Sequence, residues 1–190
     1  MKNIYLLALV MNFQLIQGEN TKVVKIPEAR LKMLDGEYAQ LSDFNNDGLV
    51  IINFWTTWWP FCERQLAYLD QLNTSFSNTG LKVLSINLNK PKILNLVKPY
   101  VSKRKYKFDV SIDPRSKLAD KLSIEGIPTI IFADKNGNIL YRSSGYADGY
   151  ENEYLKELIK YLDKENIPYD DFTFKDKASR RKEAIVDIDF

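Results

Sequence analysis

Two unbroken runs of mostly apolar residues lie in the first half of the chain, GLVIINFW at 48–55 and LKVLSINL at 81–88. Such runs are typical of strands that are buried on both faces of a sheet. Apolar residues at near-helical spacing follow each run, and a proline opens each of these stretches, at Pro60 and Pro91. This half of the chain therefore predicts a strand, a helix, a second strand and a second helix, the last disturbed at Pro99.

The alternation continues in the second half with shorter elements. Strands that alternate with helices imply parallel pairing, and a late hairpin around KNGN adds an antiparallel edge. The predicted fold class is α/β, a central mixed β-sheet flanked by helices on both faces, in one domain over residues 23–163. The predicted later elements are strands at 106–113, 129–134 and 139–144 and helices at 114–123 and 150–165.

The two ends of the chain have a different character. Residues 1–18 combine one basic residue, Lys2, with a short apolar run and a polar exit, the pattern of a secretory signal peptide cut near Gly18; a buried first strand or helix is the alternative. The apolar run is too short for a spanning helix, so the chain would meet a membrane only through an uncleaved signal segment. Residues 168–190 form a charged tail without long periodicity, either mobile or docked through its Phe and Ile residues.

Composition removes several classes of function. The chain has no histidine, which excludes His-based triads and most zinc or haem ligation, and no metal or cofactor is expected. The 27 basic and 25 acidic residues give a net charge of only +2, so no nucleic-acid partner is expected. One cysteine, Cys62, cannot form an internal disulfide.

The candidate chemistry lies where the first apolar run ends, in the stretch NFWTTWWPFCERQ at 53–65. A buried strand followed by a tight turn and a helix beginning at Pro60 places residues 58–62 at the carboxyl edge of the sheet, where open α/β folds keep their sites. The unpaired N–H groups and positive dipole of a helix start lower the pKa of a nearby thiol. This location favours a reactive thiolate at Cys62, whereas an inward-turned cysteine in a first helical turn is often inert.

These residues resemble a known family. The order FWTTWxPxC, then a helix, then GIPT with Pro128 lying 66 residues after Cys62, then DKNGNI, is similar to the TlpA/ResA-like branch of the thioredoxin-fold thiol-disulfide oxidoreductases. The resemblance covers residues 23–163. It implies a thioredoxin fold, thiol-disulfide exchange on extracytoplasmic protein or peptide substrates, and an exported, monomeric protein.

The chain departs from the family's W-C-x-x-C motif at one decisive position. The resemblance makes Cys62 the resolving cysteine and places Trp59 where the family has its nucleophilic cysteine. Gln65 stands where the family often has an acidic residue, and Ala67 where it often has a proline. Because indole cannot attack sulfur and an amide cannot exchange a proton at neutral pH, the two-cysteine cycle is expected to be degenerate.

The substrate groove is the part of the site that the resemblance leaves intact. Ile127-Pro128 matches the family's cis-proline, which faces the active-site turn and offers backbone groups to an extended peptide. Trp58 is expected to pack beneath the turn and Trp59 to be a surface contact residue. The expected groove residues are Trp58, Pro60, Phe61, Ile127 and Pro128.

Several interpretations stay open from the sequence. The first is a peptide-binding or scaffold module with little or no disulfide reductase activity. The second is an oxidoreductase that works through Cys62 alone, with the other thiol supplied by a partner or small molecule. A peroxidase is a distant third, because Trp59 replaces the threonine such enzymes place three before the reactive cysteine. The Trp codon is one base from those of cysteine and recoded selenocysteine, so an altered or recoded residue 59 would imply an ordinary active member.

Overall fold

A seven-stranded mixed sheet forms the centre of the protein, in a computed structural model that describes residues 23–175. Its strand order is β2-β1-β5-β4-β3-β6-β7. The two long apolar runs become the adjacent strands β3 and β4, as predicted. The strands are β1 (Arg30–Met33), β2 (Tyr38–Gln40), β3 (Val50–Trp55), β4 (Lys82–Asn87), β5 (Asp109–Ile112), β6 (Thr129–Ala133) and β7 (Ile139–Ser144).

Strand directions place several carboxyl ends at one edge of the sheet. Strand β4 pairs in parallel with both β3 and β5, while β6, β7, β1 and β2 join through antiparallel pairs. The segments that follow β3, β4 and β5 therefore emerge together. The turn before Pro60 is one of these segments.

Four helices flank the sheet. They are α1 (Pro60–Ser75), α2 (Val97–Arg104), α3 (Lys117–Lys121) and α4 (Tyr150–Lys164). The second predicted helix differs from the expectation: Pro91–Leu96 is a 3-10 helix whose backbone breaks at Ile93, and α2 begins only afterwards. Pro99 causes no disturbance because it lies in the first turn of α2, where a missing N–H is tolerated.

Two apolar cores lie on opposite faces of the sheet, and strand β3 contributes alternately to both. Ile51 and Trp55 belong to the first core, together with residues of α1, α2 and α4. Phe54 belongs to the second core, which Leu118 of α3 covers. Burying each large apolar side chain contributes about 1.5–3 kcal/mol. Helices on both faces of a mixed sheet confirm the predicted fold class.

The remaining sequence predictions concern the two ends of the chain, a signal peptide and a charged tail. The proposed signal peptide at 1–18 and residues 176–190 lie outside the described residues. Phe172 and Phe174, by contrast, pack against the first core. Of the two alternatives for the tail, its start therefore follows the docked one and not the mobile one. Within 23–175, no helix is both long and apolar enough to cross a membrane.

Candidate functional site

The turn between β3 and α1 is fixed by a buried asparagine that follows β4. The Asn89 Oδ1 accepts the backbone N–H of Thr57 at 3.0 Å, and its Nδ2 donates to Thr57 Oγ1 at 2.8 Å and to the Ile93 carbonyl at 3.1 Å. Asn87 Oδ1 in turn accepts the Asn89 N–H at 2.9 Å. The sequence interpretation missed this support, although two asparagines at the end of an apolar run were its visible signal.

Helix α1 begins immediately after this turn. Trp59 is the N-cap residue, with extended backbone angles and no side-chain cap, and Pro60 is the first helical residue. The backbone N–H of Cys62 already donates to the Trp59 carbonyl at 3.0 Å. Cys62 thus lies in the first turn, as predicted.

Cys62 is nevertheless not a thiolate site. Its side chain is completely buried in the first core. Burial raises the pKa of the thiol to about 11, and hydrogen bonding with Thr56 offsets only part of that rise. The expectation that the helix start lowers this pKa is therefore wrong, because the cost of burying the charged form outweighs the helix dipole.

Three aromatic side chains around the turn are exposed instead. Trp58 is 59% exposed, Trp59 39% and Phe61 42%. The Trp58 and Trp59 rings meet edge to face at 5.7 Å between centroids, and Trp59 and Phe61 lie 5.9 Å apart. We name these three residues the aromatic patch. Trp59, the expected surface contact residue, and Phe61, an expected groove residue, therefore both lie on the surface.

The predicted place of Trp58 beneath the turn is wrong. Trp55, the last residue of β3, fills that position: it is fully buried, and its ring lies 5.3 Å from that of Tyr100 in α2. Strand alternation directs Trp55 into the first core, whereas Trp58 lies outside the strand in the turn itself. A sequence with tryptophans at both positions does not reveal which one is buried.

Gln65 lies one helical turn after Cys62 and is fully buried. Its Nε2 donates to the hydroxyl of Tyr154 in α4 at 2.9 Å, and burial raises the pKa of that tyrosine. The amide oxygen of Gln65, Oε1, has no hydrogen-bond partner among the described residues. This position therefore provides a buried amide and a neutral phenol, and neither transfers a proton at neutral pH.

A charged cluster that the sequence interpretation missed lies beside the first turn of α1. Glu63 pairs with Arg104 at 3.1 Å, and the Arg104 guanidinium lies 3.5 Å from the centroid of the Tyr100 ring. Burial raises the pKa of Tyr100 to about 12; Arg104 lowers it, and Glu63 and Cys62 each raise it. The Glu63 carboxylate and the Arg104 guanidinium thus pair with each other, while the Arg104 Nε is buried without a hydrogen-bond partner among the described residues.

The Ile127–Pro128 peptide bond is cis. Pro128 is buried, and its carbonyl accepts the N–H of Gly145 at 2.7 Å. Ile127 is half-buried and packs on the same core as Cys62. Neither backbone polar group of Ile127 has a hydrogen-bond partner among residues 23–175.

In the described part of the chain, no three His, Cys, Asp or Glu side chains come together in a way that could hold a metal ion. The family model for AhpC/TSA proteins matches residues 24–142. The chain belongs to the AhpC/TSA family.

This AhpC/TSA-family chain is also similar to the thiol-disulfide oxidoreductases named ResA. It is 29% identical over 153 residues to ResA of Bacillus thuringiensis subsp. konkukian, covering 77% of this chain and 87% of the relative. It is 30% identical over 134 residues to ResA of Geobacillus kaustophilus, covering 70% and 75%. The predicted resemblance to the ResA-like branch is confirmed.

The solved structures support the fold of this AhpC/TSA-family protein. The exposed lipoprotein thioredoxin of Streptococcus pneumoniae superposes with a TM-score of 0.60 at 24% identity, covering 70% of this chain and 99% of that structure. The thioredoxin fold is therefore established.

Proposed function

We propose that this protein is an exported thioredoxin-like protein that binds thiol- or disulfide-bearing peptides at the aromatic patch and has little or no disulfide reductase activity. One observation carries the proposal. Position 59 holds an indole, while the chain's single thiol, Cys62, is fully buried with a pKa raised to about 11.

The chemistry of disulfide exchange explains why these two features matter. A thiolate must attack a substrate sulfur, and a second thiolate must then resolve the mixed disulfide. With a pKa of about 11, Cys62 is ionised to roughly one part in ten thousand at pH 7. Trp59 supplies no sulfur at all. The fold is that of an exchange enzyme, but the attacking thiolate is missing, and the one remaining thiol is almost entirely protonated.

The features that bind a peptide are retained. The aromatic patch exposes three large rings, each able to bury an area of roughly 150–250 Å². The free backbone N–H and C=O of Ile127 can pair with an extended chain as an added strand would. Apolar contact together with backbone pairing suits a peptide partner better than a small polar substrate.

The proposed location rests on the N-terminal sequence. Residues 1–18 carry the order of a secretory signal, so the proposed partner is a peptide or protein outside the cytoplasm. The proposal also takes the mature protein to be a monomer. No cofactor takes part in this function.

Insulin reduction tests the missing step. The unmodified chain is expected to show little turnover, and Trp59→Cys is expected to raise it at least tenfold by supplying an exposed thiol at the helix start. Trp58→Cys is the matched control, because it places a thiol in the same turn one residue too early for Cys62 to resolve. Full turnover by the unmodified chain, or no gain with Trp59→Cys, would refute the proposal.

Peptide binding is tested separately through tryptophan emission. Reduced and carboxymethylated insulin B chain is the probe, so no exchange can take place. Trp59→Ala is expected to weaken binding about tenfold, while Leu140→Ala, an exposed apolar residue on β7, leaves it unchanged. Equal affinities in all three proteins would show that the aromatic patch is not the binding surface.

A further inference from the structure

A cavity of about 330 Å³ lies away from the aromatic patch, between β1, the end of β5 and helix α3. Leu31, Ile86 and Leu118 are among the residues that line it, and all three belong to the second core. Cys62 belongs to the first core, on the other face of the sheet. The cavity is therefore separate from the site described above.

The lining of this cavity has a strong charge bias. It contains five basic residues and a single acid, so its local excess is +4, from 5 − 1, compared with +2 for the entire chain. None of the five forms an ion pair with another residue in the described part of the chain. The basic residues are Arg30, Lys32, Arg115, Lys117 and Lys121.

The single acid does not neutralise these cations. The Asp113 carboxylate accepts the backbone N–H groups of Lys117 at 2.8 Å, Leu118 at 2.8 Å and Ala119 at 3.1 Å. The carboxylate oxygens of Asp113 therefore accept hydrogen bonds from the start of α3, so this residue has a structural role there. An anion entering the cavity would meet uncompensated positive charge.

Apolar and basic lining together define the ligand class. A bare anion would make no use of the apolar part of the lining. Five cations would repel a cationic amphiphile and would gain no charge pairing with a neutral one. At about 30 Å³ per water-sized group, the volume holds about eleven such groups. We propose that this cavity binds a medium-length aliphatic carboxylate, with the chain against the half-buried lining residues Ala29, Ile112 and Pro114 and the carboxylate among the basic residues.

Calorimetric titration of the full chain with four probes tests the ligand class. Decanoate is expected to bind at one site; acetate, which lacks the chain, and decanol, which lacks the charge, are each expected to bind at least tenfold more weakly. Decyltrimethylammonium, with the opposite charge, is expected not to bind. Equal binding of decanoate, decanol and decyltrimethylammonium, which share a ten-carbon chain, would overturn the proposal. No binding of decanoate would also overturn it.

Variants and chemical shifts test the location. Arg115→Gln combined with Lys117→Gln is expected to weaken decanoate binding about tenfold. The matched control is Lys156→Gln combined with Lys160→Gln, which removes the same charge from α4 and is expected to have no effect. Methyl resonances of Leu31 and Leu118 should shift on titration. An equal effect of the two double variants, or shifts confined to the first core, would refute the site.

Discussion

The chemistry of Cys62 is decided by its burial and not by its place in the sequence. A first-turn cysteine beside a helix dipole has the position of a reactive thiol, and that effect is worth at most about 2 kcal/mol. Complete enclosure by apolar side chains acts in the opposite direction and raises the pKa of the thiol to about 11. A thiol of this kind packs as a small apolar group.

Stability against pH provides a direct test of this assignment. The folded pKa of Cys62, about 11, lies above its unfolded value of 9.0, so the folded state holds the proton more tightly. The resulting stabilisation is fully present below pH 9 and is lost as the pH rises through 11. In urea unfolding, Cys62→Ala is expected to remove this part of the slope between pH 9 and 11.

The difference between the two proteins isolates the contribution of Cys62 together with the part of the Tyr100 pKa shift that Cys62 causes. Iodoacetamide labelling is the companion measurement: labelling of the folded chain at pH 7 is expected to be at least a hundredfold slower than in urea. Rapid labelling of the folded chain would instead support an enzyme that works through Cys62 alone.

At the level of elements, the turn before α1 is held by the segment that follows β4. Asn89 is fully buried, and its side chain makes three hydrogen bonds, two of them to Thr57. Because β3 and β4 are parallel neighbours, their carboxyl ends lie close enough for one side chain to join the two following loops. The position of the aromatic patch therefore depends on a residue of another element.

Asn89→Ala removes this connection. The change leaves the Thr57 N–H without its partner and is expected to cost about 2–4 kcal/mol in urea unfolding. Acrylamide quenching of tryptophan emission is expected to rise as the turn loosens. Asn152→Ala, on the exposed side of α4, is the control and should cost less than 0.5 kcal/mol. A loss below 1 kcal/mol with unchanged quenching would show that the turn holds its shape without Asn89.

For the whole molecule, the sequence predicted the layers better than their connections. The apolar runs at 48–55 and 81–88 predicted the two central strands, because a strand that is buried on both faces is mostly apolar along its length. The antiparallel pairing of β6 with β3 and the far-edge position of β2 depend on contacts distant in sequence, which local patterns do not encode. The motif proposed the candidate site residues and placed Trp59 on the surface, but it wrongly predicted that Trp58 packs beneath the turn.

The packing of the tail also depends on contacts between residues far apart in the sequence, which local patterns do not predict. Phe172 and Phe174 are two apolar residues in a charged segment, too few to produce a periodic signal. Their rings lie 5.3 Å from Phe76 and 5.1 Å from Tyr68, respectively, so the segment runs back along α1. Gln71 reinforces this contact by bonding to the backbone N–H and carbonyl of residue 175. Only the completed helix surface reveals where these aromatics pack.

Truncation measures what this docking contributes to the whole protein. A chain ending at Pro168 loses both phenylalanine contacts and exposes Phe76, and we expect its free energy of unfolding to fall by about 3 kcal/mol. A chain ending at Lys175 keeps these contacts, and its free energy of unfolding is expected to fall by less than 1 kcal/mol. Both truncated chains are measured by thermal and urea unfolding. Phe172→Ala with Phe174→Ala in the full chain should reproduce most of the larger loss, because side-chain packing is its cause. If the two truncated chains proved equally stable, the docked segment would contribute nothing to the fold, and α1 would be complete without it.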